Sequence, residues 1–86
     1  MPRLAAFYGI VIYMYVRDHG PAHFHARAGD DEAVIDIATG DAIRGTLSPR
    51  RMRLVRDWAE IHRAELFEAW LRAGVGEPPG IIEPLP

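Results

Sequence analysis

The chain contains no cysteine and no lysine. Without cysteine, disulfides, thiolate metal sites and a cysteine nucleophile are excluded, any metal must be held by nitrogen and oxygen, and a reducing cytoplasm is the expected location. Without lysine, every basic residue is an arginine; this fits an alanine- and arginine-rich chain from a GC-rich genome, or selection for fork-shaped anion recognition. Positive charge is not in excess either: the formal net charge is −2. That argues against non-specific coating of nucleic acid, which needs cations to release counterions from phosphates, and leaves room for a local basic patch. The single long apolar run, Leu4 to Val16 behind Arg3, is too short to span a bilayer and lacks the small-residue cleavage site of a signal peptide. Because Ile10, Val11, Ile12, Tyr13, Tyr15 and Val16 are β-branched or aromatic, it reads as a buried strand. No repeat and no low-complexity segment interrupts the chain, and 86 residues make one domain, 1–86, with a single core.

Turn clusters at Asp18 to Pro21, Gly29 to Asp31 and Thr39 to Asp41 divide the first half into four expected strands, 7–16, 23–28, 32–38 and 42–47. Short connections make neighbours antiparallel, a β-meander. One long helix is expected over 49–73, with Ser48 as N-cap, Pro49 at the first helical position and Gly74 just past the end. Its apolar stripe runs through Val55, Trp58, Ala59, His62, Leu66, Ala69, Trp70 and Ala73, opposite Arg53, Arg56, Asp57, Glu60, Arg63 and Glu68. Surface pairs are expected between Arg53 and Asp57, Arg56 and Glu60, and Glu68 and Arg72. The Gly- and Pro-rich tail, 74–86, ends in an apolar stretch expected to pack extended along a sheet edge of its own domain. The fold class is thus α+β, one sheet face lying on the helix.

Three of the four histidines fall within Asp18-His19-Gly20-Pro21-Ala22-His23-Phe24-His25. Gly20-Pro21 turns the chain, and His23 and His25, two apart on a strand, share a face that Phe24 leaves. Hydrophobic matching places Ile10, Ile12, Met14, Val16, Phe24, Ala26, Ala33, Ile35, Ile37, Ile43 and Leu47 in the core. The outer face then carries Tyr13, Tyr15, His23, His25, Arg27, Asp36, Arg44 and Thr46, with Arg27 opposite Glu32, His23 opposite Asp36, and Arg44 also opposite Asp36.

Imidazoles titrate near neutral pH and bind transition metals, so the cluster suits acid–base work, metal binding or pH sensing. For acid–base catalysis, the candidates are His23 and His25 with Asp36 orienting and His19 nearby; a metal-independent ribonuclease needs such a pair plus arginine for the phosphorane charge. Arg27, Arg44, Arg50 and Arg51 are the phosphate-binding candidates, the last two because cations at a helix N-terminus oppose its dipole unless an anion is bound. This reading calls for no cofactor. For metal, His19, His23 and His25 would supply nitrogen, and Asp18 or Asp36 oxygen. Alternatively Asp36 and Arg44 are ordinary cross-strand charges, and His62 is a core histidine or a fourth contributor to the cluster. Tyr13 and Tyr15 on an open sheet face would equally suit a homodimer surface.

The run Phe7-Tyr8-Gly9-Ile10-Val11-Ile12, then Asp18-His19, Pro21 and His23-Phe24-His25-Ala26, then Glu32-Ala33, Glu65-Leu66 and Trp70, resembles the small prokaryotic family known as domain of unknown function 4160. The likeness covers almost the whole chain. It departs at Ala22, where the family's Pro-Pro-His-Phe-His has its second proline, and at Ala28, where tyrosine is usual before the glycine of the second turn. The resemblance implies a small α+β domain and a place in a toxin–antitoxin-like two-gene unit beside another small protein. Three roles stay open: an RNA-cleaving toxin, a non-catalytic protein-interaction or regulatory module whose histidines fasten a loop, and a small metal-binding protein. No membrane partner is expected.

Overall fold

A computed structural model describes residues 2–86. The apolar run that reads as one strand is a hairpin: β1 (Arg3–Phe7) and β2 (Ile10–Tyr13) pair antiparallel across Tyr8 and Gly9. Both turn residues have positive φ, 50° and 77°, the conformation whose twist matches two flanking strands and which glycine adopts without strain. The sheet therefore has five strands rather than four, in the order β1-β2-β3-β4-β5, with β3 (His23–Ala28), β4 (Asp31–Asp36) and β5 (Ala42–Gly45) completing the meander.

Across the second hairpin the register matches expectation: Ala26 faces Ala33, Arg27 faces Glu32 and His23 faces Asp36. The next pairing does not. A register irregularity between Val34 and Ile35 sets Arg44 opposite Val34, not Asp36. Its cause lies in the turn, where the Asp36 carboxylate accepts the N–H groups of Ala38 (2.8 Å) and Thr39 (3.1 Å) and so ends the ladder early. Ile43 consequently stays half-exposed on the edge strand, and Val16, beyond the end of β2, is also exposed; neither joins the core. Gly45, at φ 70°, passes so close to the Glu32 carbonyl that a Cβ would collide with it.

The expected helix forms as two, α1 (Pro49–Ile61) and α2 (Arg63–Gly74), separated at His62. Ser48 Oγ accepts the Arg51 N–H at 3.3 Å, and Pro49 occupies the first turn as expected. His62 departs from helical dihedrals (φ −109°, ψ 23°) while its N–H still reaches the Trp58 carbonyl and its own carbonyl accepts from Leu66. Its ring bonds Glu65 at 2.6 Å. The ring also lies 5.5 Å from that of buried Trp58, on the core side as one expectation had it, and outside the histidine cluster. The left-handed residue closing α2 is Gly76 (φ 84°), not Gly74; the N–H groups of Gly76 and Glu77 return to the Ala73 and Arg72 carbonyls, a Schellman closure.

The core lies between one sheet face and the helices, where Trp58 packs on Phe7 and Phe24 and Leu4, Ile10, Ile12, Ile35 and Leu66 are wholly buried. The tail seals the β1 side as expected: the Ile82 N–H donates to the Leu4 carbonyl (2.8 Å), and the Trp58 indole N–H donates to the Glu83 carbonyl (2.7 Å). None of the three expected helix-surface ion pairs forms. Arg56 pairs instead with Asp41, and Arg72 donates to the Pro79 carbonyl, a tail oxygen that needs a donor once Pro79 is buried. Among the described residues, no helix is long and apolar enough to cross a membrane.

Candidate functional site

Strand alternation sends Phe24, Ala26 and Ala28 into the core and His23, His25 and Arg27 to the opposite face. The expected parity holds, but the expected exposure does not: His23 and His25 are each only 7% exposed. Two pieces of chain close over them. The β2–β3 connection returns across the sheet, bringing Tyr15 edge-on to His25 (4.9 Å between ring centres), and α2 lays Trp70 against His23 (4.9 Å). Beneath, the Tyr13 ring stacks on His25 at 5.0 Å and 13°.

Within this cover Asp18 is the organising acid. One carboxylate oxygen accepts the His19 backbone N–H (2.8 Å) and the other faces His23 Nε2 (2.9 Å). The opposite nitrogen of the same ring, Nδ1, faces the Pro21 carbonyl at 2.8 Å. Both His23 nitrogens thus face oxygen: with the proton on Nδ1 for the Pro21 carbonyl, Nε2 turns toward the Asp18 carboxylate. Burial pushes the Asp18 carboxyl up, but the His19 N–H and the two imidazoles outweigh it and hold the group below the usual carboxylate range.

His25 is placed differently. Both ring nitrogens are buried with no hydrogen-bond partner; Nε2 lies 3.7 Å from Asp18 Oδ2 and Nδ1 lies 3.7 Å from Glu32 Oε2, beyond bonding range. Glu32 is oriented by Tyr13, whose hydroxyl donates to Oε1 at 2.5 Å. Burial, then the Glu32 carboxylate, push the Tyr13 phenol well above its ordinary range. Asp18, His23 and His25 each offer a ligand atom, and these atoms lie within 4.8 Å of one another.

The other sequence candidates lie elsewhere. Asp36 faces His23 in register, yet its carboxylate serves the Ala38 and Thr39 N–H groups and not the imidazole. The His19 ring is outside the cluster, to which the residue contributes its backbone. Arg27 sits over the Tyr13 ring, 5.7 Å from its centre. Arg44 is carried away by the register irregularity, and Arg50 and Arg51 occupy the first turn of α1. Of the two acids expected as oxygen donors, Asp18 and not Asp36 meets the imidazoles, Tyr13 shares their face as expected, and the structure adds Glu32, Trp70 and the Pro21 carbonyl. Asp18 had a sequence signal: a turn at Gly20-Pro21 folds the preceding acid back onto the strand that follows. The position of Trp70 had none, because it depends on where the helix breaks.

The assembled group can hold a cation between carboxylate and imidazoles and can pin the connection to the sheet. No curated protein and no solved structure matches the chain. The model of a domain of unknown function (DUF4160) matches residues 9–71, most of the sequence and all of this site, and the chain belongs to that family.

Proposed function

We propose that the protein is a non-catalytic interaction module, the partner-binding member of a toxin–antitoxin-like two-gene pair, docking through the outward face of α2. The carrying observation is a second apolar stripe. Ile61, Ala64, Phe67, Leu71 and Val75 follow helical spacing on the side opposite Leu66, Ala69 and Ala73, and all are exposed, Leu71 at 69%. An amphipathic helix of a small domain buries one such stripe; a solvent-facing second one is what a partner covers.

The border of the stripe indicates the partner's chemistry. Glu60 and Glu68 flank it, neither engaged in an ion pair among the described residues, because Arg72 is committed to Pro79 and Arg56 to Asp41. Two copies of the chain would set acidic borders against each other, whereas a different small protein with an apolar strip edged by arginine or lysine meets complementary charge. In this reading the histidines fasten the β2–β3 connection. The alternative of RNA cleavage by His23 and His25 has less support, since RNA would have to reach rings that are 7% exposed.

Co-expression with the product of the adjacent gene tests the proposal. Wild type co-purifies with it and Phe67→Arg plus Leu71→Arg does not, while induced expression leaves cellular RNA intact. Retained co-purification by the folded double variant overturns the docking face. Loss of RNA integrity that disappears in a folded His23→Ala plus His25→Ala variant replaces the reading with catalysis.

A further inference from the structure

Independently of any partner at α2, the covered histidines bear on a ligand of their own. We infer that Asp18, His23 and His25 form a binding site for one divalent transition ion of zinc type, with Glu32 and the Pro21 carbonyl as its outer supports.

The donor set is carboxylate oxygen plus two imidazole nitrogens, hard-to-borderline ligands that suit zinc and its first-row neighbours rather than calcium or magnesium. In a tetrahedral zinc site with bonds of about 2.0–2.1 Å, ligand atoms stand roughly 3.3 Å apart. Asp18 Oδ2 lies 2.9 Å from His23 Nε2 and 3.7 Å from His25 Nε2, values that straddle that separation. The three ligand atoms lie within 4.8 Å of one another, so the two rings close on Asp18 when one ion is bound.

Tautomers agree with the distances. The Pro21 carbonyl holds the proton on His23 Nδ1, which leaves the Nε2 lone pair directed at Asp18. On the other ring, Glu32 Oε2 stands 3.7 Å from His25 Nδ1 and is braced by the Tyr13 hydroxyl, so a proton at Nδ1 again leaves Nε2 to the ion. A carbonyl or carboxylate behind each ligating imidazole is the usual outer arrangement of such sites, fixing the tautomer and raising ligand basicity.

The independent observation is His25. An imidazole more than nine-tenths buried with neither nitrogen hydrogen-bonded is costly without a partner, and both its nitrogens are aimed at carboxylates. Charge also favours a cation: the acids nearest the rings are Asp18 and Glu32, while Arg27 lies over Tyr13 and Arg44 is opposite Val34. Asp18 is the most exposed of the three ligands, so the position left open by three protein ligands faces outward, toward water or a small anion.

The test uses the whole chain without a polyhistidine tag, stripped with chelator and titrated with Zn²⁺ and, separately, Co²⁺. One equivalent of Zn²⁺ shifts the imidazole nitrogen resonances of His23 and His25, sparing those of His19 and His62, and Co²⁺ gives the intense visible bands of a four-coordinate nitrogen and oxygen site. Glu32→Gln lowers affinity about tenfold or more, Asp18→Asn and His25→Gln lower it further, and His19→Ala leaves it unchanged. Unmoved His23 and His25 resonances in the wild type overturn the site whatever the variants do. So does undiminished Zn²⁺ affinity in a folded His25→Gln protein.

Discussion

Strand β3 is covered by a tryptophan on each side, and the two coverings obey different physics. On one face Phe24 meets Trp58, 5.8 Å between ring centres, within the apolar core. On the other His23 meets Trp70 at 4.9 Å, among Asp18, Tyr13 and Glu32. Burial on the first face is favourable whatever the neighbours do, because it scales with apolar area removed from water. On the second it is favourable only if each polar atom is satisfied; the His23 nitrogens face the Pro21 carbonyl and Asp18, whereas those of His25 have no hydrogen-bond partner. The apolar side supplies stability; on the polar side the proposed ion would complete it.

Four substitutions break or sharpen that contrast. The largest effect is expected from Trp58→Ala, which empties the centre of the apolar face and frees the Glu83 carbonyl; about 3–5 kcal/mol is lost in denaturant unfolding. Next comes Asp18→Ala, which strips the His19 N–H of its acceptor and His23 Nε2 of its facing carboxylate; a loss of about 1–3 kcal/mol follows, and protease cutting within 14–22 accelerates as the connection loosens. His25→Phe separates the faces most sharply. In chelator-treated protein, removing two unsatisfied nitrogens while keeping a ring between Tyr13 and Tyr15 leaves stability within about 1 kcal/mol of wild type or above it, whereas the rise in melting temperature with Zn²⁺ disappears. The smallest change belongs to Leu71→Arg, on neither side of the strand, which alters stability by no more than about 0.5 kcal/mol and abolishes partner capture.

Much of this was legible because alternation is a strong constraint. The parity of Phe24 and Ala26 against His23 and His25, the facing of Ala26 with Ala33 and Arg27 with Glu32, and the Ser48-Pro49 start of the helix all follow from local rules that the tertiary structure does not overrule. Gly9 marked the first hairpin, but a turn residue as apolar as Tyr8 hid it inside a continuous hydrophobic run. The β4–β5 slip depended on a side chain, Asp36, preferring backbone N–H groups over its cross-strand neighbour. Burial of the outer face was least readable. It requires a nine-residue connection, 14–22, and the second half of a broken helix to arrive at the same place, and periodicity says nothing about where a loop lies. The second stripe of α2 was present in Phe67, Leu71 and Val75, masked by charged residues interleaved with them.

The Ile82 N–H and the Leu4 carbonyl join the last segment of the chain to the first strand. Such a clasp works as a selvedge: it stops the woven margin of the sheet from fraying into neighbouring molecules. Cutting the chain before Ile82 would bare that margin, and self-stacking strands, more than lost melting temperature, would be the damage seen first.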